Sequence, residues 1–236
     1  MTLRASVAPG FLSSVITMVS FSAYAKIKDT TEKVQDGLLK SFDLLYAVVI
    51  PVVFLVMAAG GKLILIFLGE AWLPMTNAFR VLLIFFVVHT IIDMAYALFN
   101  GIGHPDKKVK YETVKIPLTI ILIYLLTARY GIDGAALAML LGAVPILLIS
   151  LRDLKRLTRT DYATMLAPIG IPLLLSALLF APVVVFKDAI LARGTVLVIF
   201  LSLALGLAYV VLIYLIGRRW NMGPYKTLAL IWQHIR

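Results

Sequence analysis

Leu44–Gly61 contains no charged residue. At about 1.5 Å per residue, a helix over that stretch is roughly 27 Å long, close to the ~30 Å hydrocarbon depth of a bilayer. Six further apolar stretches of comparable length follow the same pattern, each bounded by charge. In hydrocarbon, every backbone N–H and C=O must find its partner inside the chain, so runs of this kind become helices. The stretches cover about residues 7–25, 43–60, 79–101, 111–127, 134–151, 162–186 and 194–217. They predict an all-α polytopic membrane protein with about seven transmembrane helices. Residues 1–217 form a single helical bundle in this reading, and 218–236 a cytoplasmic interfacial tail holding Trp220, Tyr225 and Trp232.

Composition agrees. The chain is 62% hydrophobic and 14% charged, whereas soluble domains are nearer a quarter charged. A water-soluble globule of this size could not hide so much apolar surface. The uncharged run between Arg4 and Lys26 has the form of a signal peptide, but with six more apolar segments behind it a first membrane helix is the better reading. Lys26–Lys40 reads as a short charged connector. In the second span, Pro51 removes a backbone donor and predicts a kink. That helix is expected to end near Gly60, followed by a short interfacial turn over Leu63–Gly69. Asn100-Gly101-Ile102-Gly103-His104-Pro105 reads as a helix stop. Tyr130-Gly131-Ile132-Asp133-Gly134 reads as a tight turn between the fourth and fifth spans. The sixth span, with Pro168, Gly170, Pro172 and Pro182, is expected to bend.

The net charge of +10 is unevenly placed. Sixteen of the 22 Lys and Arg residues fall between spans one and two, at the start of span four, between spans five and six, and after span seven. The other six are Arg4, Lys62, Arg80, Arg129, Lys187 and Arg193. The positive-inside rule then places the N-terminus outside and the C-terminus inside the cytoplasmic membrane. Basic residues gathered at one leaflet meet anionic headgroups, which argues against nucleic acid as a partner. An outside N-terminus fits the second part of a longer protein, with further spans expected upstream. Cysteine is absent, which excludes disulfides and cysteine–metal sites.

Within span three, His89 and Asp93 stand one helical turn apart and share a face. Phe86, Ala97 and Asn100 extend that face, and Thr90 lies beside it. A carboxylate at such depth must pair, protonate or face water. The pair is either part of a polar stripe binding substrate or carrying a proton or cation, or a helix–helix pair with a structural role. It is too sparse for a catalytic zinc site, which takes three protein ligands, and no catalytic residue, metal or cofactor is expected. Arg80 either meets an anionic group such as a diphosphate or snorkels to headgroups. Lys62, after a glycine pair, either contacts substrate or anchors at the interface. Asp43 is placed to pair with a loop lysine.

Three segments together, IFLGEAWLPMTNAFRVLLI (Ile66–Ile84), ALFNGIGHPDKKVKYE (Ala97–Glu112) and ARYGIDGAALAMLLG (Ala128–Gly142), resemble the Wzx-type polysaccharide flippases of the multidrug/oligosaccharidyl-lipid/polysaccharide exporter superfamily. The resemblance implies the C-terminal portion of a two-bundle exporter of twelve to fourteen spans, with its N-terminal half missing here. It implies movement of a polyprenyl-diphosphate-linked oligosaccharide across the membrane by alternating access, with lipid-linked oligosaccharide and membrane lipids as partners. Cationic residues in the family's central cavity are thinly represented in this chain, and no family motif assigns a role to a single residue. A membrane-embedded polymerase or acyltransferase is the competing expectation; it would need a polar constellation or a substantial loop, and the loops are short. A partial chain or split subunit with a structural role is the third.

Overall fold

The computed structural model describes residues 30–185 and 195–220. Among these residues there is no strand. Helix α1 spans Thr31–Phe67 and α2 Thr76–Gly101, with a 3-10 segment, Glu70–Met75, between them; α3 runs Pro105–Thr158. The short α4, Tyr162–Leu166, leads through a 3-10 turn, Ala167–Ile169, into α5, Gly170–Val185, and α6 is Thr195–Trp220. Four stretches are long and apolar enough to cross a membrane, namely Thr31–Ala58, Glu70–Gly101, Pro105–Thr158 and Tyr162–Phe180; Leu203–Ile216 is a shorter apolar helix. This is a multi-pass helical membrane protein. The expected span over 7–25, and most of the tail over 218–236, lie outside the described residues.

Two expectations need correction. Helix α1 begins inside the supposed connector, at Thr31, because Val34, Leu38 and Phe42 recur every four residues and are all buried. The charges there occupy the opposite face, where Lys40 pairs with Asp36. Lys40 is therefore committed locally, and among the described residues Asp43 pairs with no lysine. At its other end α1 continues past Gly60 and Gly61 to Phe67. Gly60 is buried, and a side chain there would sit 3.5 Å from the Phe79 ring.

The 54 residues of α3 do not form one rod. A straight helix of that length would measure about 80 Å, yet Lys107 forms an ion pair with Asp153. Gly131 supplies the reversal, with φ 56° and ψ −135°, a conformation glycine adopts without the clash a Cβ would bring. Contacts across the fold are centred on it. A Cβ on Gly134 would collide with the Leu126 backbone carbonyl, and one on Gly142 with the Thr119 side chain. Residues 105–130 and 132–158 are thus two antiparallel arms, and the expected fourth and fifth spans fall one on each. Pro105 opens the first arm at a position where its missing N–H has no helical partner to lose. Gly103, at φ 89°, closes off α2 just before it.

The chain divides into two compact units: Met1–Ser41 with Phe85–Met165, and Phe42–Ile84 with Leu166–Arg236. The first holds the hairpin and the later part of α2, which is buried at every position from Thr90 to Gly101 except Asp93 and Asn100. In the second, α5 packs on α6, and the core includes Phe42, Leu45, Tyr46, Ile50, Val53, Phe180 and Tyr209. Here Pro51 has a specific consequence. Lacking an N–H, it leaves the carbonyl of Ala47, four residues earlier, without its helical donor. The Tyr209 hydroxyl of α6 donates to that carbonyl at 3.0 Å, in a buried position.

Candidate functional site

Helix α2 positions the polar pair. Residues four apart lie on one face, and His89 Nδ1 stands 3.1 Å from Asp93 Oδ2. Both remain partly exposed, at 34% and 27% of their side-chain area. Phe85, one turn before, sets its ring against the imidazole, centroids 5.3 Å apart. Thr90 bonds the Phe86 carbonyl at 2.7 Å, so its hydroxyl is spent within the helix.

At about 100° per residue, Asp93 and Asn100 fall within roughly 40° of His89 around the helix axis. These are also the residues left partly open where the helix is otherwise encased. The expected stripe of His89, Asp93 and Asn100 is therefore one open face; Ala97, placed on it from the sequence, is buried. Arg80 is exposed in the first turns of α2 and makes no ion pair among the described residues. Lys62 lies within α1, and its side chain is outside what the structure describes. Among the described residues, no three of His, Asp and Glu come together at metal-binding spacing.

A second polar group went unforeseen. Tyr96, buried in α2, donates its hydroxyl to Glu112 Oε1 at 3.0 Å, and Lys115 donates to the same oxygen at 2.6 Å. Beside it, Tyr111 and Lys107 both donate to Asp153 Oδ2. Of these two tyrosine–lysine–carboxylate groups, the first ties the end of α2 to the first arm of the hairpin and the second ties the two arms together. Their rings meet: Tyr96 and Tyr111 have centroids 6.4 Å apart, and Tyr111 lies edge-on to Phe99 at 6.3 Å. Lys107 and Lys108 sit over the Phe99 and Tyr96 rings at 5.7 and 5.9 Å, within cation–π range. The available signal was the helical period, since Tyr96 is the seventh residue after His89 and shares its face. At the end of the second arm, Lys155 bonds Asp161 at 2.8 Å and holds that carboxyl below the usual carboxylate range.

Residues 5–77 match the family described as "Polysaccharide biosynthesis protein". A Klebsiella pneumoniae protein described as "Uncharacterized membrane protein in cps region" is 24% identical over 133 residues, which are 56% of this chain and 27% of that protein. The chain therefore spans well under two thirds of that relative's length. No solved structure matches. The family match covers under a third of the chain, and both it and the relative mark a similarity to membrane proteins of polysaccharide biosynthesis.

Proposed function

We propose that this chain is part of a flippase, a transporter and not an enzyme, that carries a polyprenyl-diphosphate-linked oligosaccharide across the cytoplasmic membrane for surface polysaccharide assembly. The observation that carries the reading is the half-exposed His89–Asp93 pair, 3.1 Å apart on a helix long and apolar enough to span the bilayer. An ionisable pair at that depth is costly unless it meets water, a polar ligand or a coupling ion. The family match supplies the polymer class. The headgroup travels past the polar stripe while the lipid tail stays in hydrocarbon. The N-terminal half of such a transporter is the proposed partner. The basic loops lie in the cytoplasm in this reading, with Arg80 at the outer end of α2 and available to a diphosphate.

The test uses the full-length protein, with membrane abundance measured alongside export. Asp93→Asn and His89→Ala each lower surface polysaccharide at least tenfold at unchanged abundance. Normal export in both variants rules the pair out of the pathway.

A further inference from the structure

Along the second arm of the hairpin, Leu141, Pro145, Leu148, Arg152, Arg156 and Arg159 recur at steps of three and four. At about 100° per residue they fall within roughly 40° of Arg152 around the helix axis, so they form one stripe. All six are exposed. The first three are apolar and the last three are arginines. From Leu141 to Arg152 is about 16 Å of helix, roughly one leaflet's share of the ~30 Å hydrocarbon depth.

The arginines are unspent. The carboxylates nearest them in the chain are held elsewhere, Asp153 by Lys107 and Tyr111, and Asp161 by Lys155. None of the three arginines makes an ion pair among the described residues. Arg159 adds a second observation. It caps the arm at φ 55° and ψ 25°, and among the described residues it is the one other than glycine with a positive φ. A Cβ disfavours that conformation, and glycine commonly fills it at a helix end. Glycine would relieve the backbone there but would remove a guanidinium from the end of the stripe.

Three guanidiniums in line suit a lipid phosphate, which accepts paired N–H bonds. The exposed apolar residues that continue the line suit its acyl chain, for which a free phosphate or a nucleic acid has no counterpart. We propose that this stripe docks an anionic phospholipid, with its phosphate among Arg152, Arg156 and Arg159 and an acyl chain along Leu148, Pro145 and Leu141. The inference needs the membrane fold and not the transport reading.

The full-length protein, in neutral detergent, is titrated with phosphatidylglycerol and with phosphatidylcholine, and bound lipid is counted by native mass spectrometry. Phosphatidylglycerol binds at least about tenfold more tightly, and inorganic phosphate does not displace it. Each basic residue beside a headgroup contributes about fivefold, so Arg152→Gln with Arg156→Gln abolishes the preference. Lys33→Gln with Lys110→Gln removes the same charge from exposed positions off the stripe and changes affinity less than about twofold. Arg159→Gly separates binding from folding: phosphatidylglycerol affinity falls about fivefold, while the thermal midpoint of the lipid-free protein holds or rises. Unchanged binding in Arg159→Gly overturns the proposal even where the double arginine variant fails to fold. Equal affinity for the two lipids overturns it too, as does an equal loss from the lysine pair, which reports net charge alone. Release of phosphatidylglycerol by millimolar inorganic phosphate also overturns it, because the site then binds an anion with no part for the acyl chain.

Discussion

Pro51 and Tyr209 show how a single residue's chemistry is balanced by one distant in sequence. The proline removes a donor from the middle of α1, and the Ala47 carbonyl it abandons takes the Tyr209 hydroxyl instead. A buried acceptor left bare costs about 1–3 kcal/mol. Tyr209→Phe therefore destabilises the protein by about that amount, read as a lower thermal midpoint in detergent. Pro51→Ala restores the helical N–H and makes the loss of the Tyr209 hydroxyl nearly neutral. Thermal midpoints of the two single variants and the double close the cycle; equal losses from Tyr209→Phe in both backgrounds would show that its hydroxyl serves another group.

At the level of elements, the hairpin is set by small residues. Gly134 faces backbone across the turn, whereas Gly142 faces the Thr119 side chain. Gly134→Ala accordingly forces the arms apart and costs about 2 kcal/mol or more, while Gly142→Ala costs about 1 kcal/mol and is relieved by Thr119→Ala. Denaturation midpoints of the three variants check this order. The sequence revealed much of this element, since the apolar arms and the Tyr130–Gly134 turn stand out, and small residues favour close approach in lipid. It misplaced the start of α1, because Glu32, Lys33, Asp36 and Lys40 read as a loop although they are the outer face of an amphipathic turn. The His89–Asp93 pair was legible because four residues make one helical turn. Its neighbours were not: Tyr96 and Glu112 are 16 residues apart, and Lys107 and Asp153 are 46 apart. Only the stop at Gly103 and the reversal at Gly131 bring them together.

For the molecule as a whole, charge placement and hairpin geometry make one joint statement about the membrane. Lys108 lies among the paired lysines at the open end of the hairpin, and Gly131 forms its tip. Single cysteines introduced as Lys108→Cys and, at the exposed neighbour of the tip, Tyr130→Cys are accessible from opposite faces of the membrane, with Lys108→Cys labelled from the cytoplasm. Labelling of both from one face would overturn the orientation. These 236 residues hold no native cysteine to compete for the label.

The reversal at Gly131 also bears on genetics. A residue without a side chain cannot bind, pair or titrate, yet the arms meet because Gly131 can take its reversed backbone and Gly134 has no Cβ to strike the Leu126 carbonyl. A screen for strains that lose their surface polymer will return these glycines beside His89 and Asp93. The first class disappears from the membrane and the second remains there, inert. Protein abundance, not polymer yield, is what tells a broken scaffold from a broken pathway.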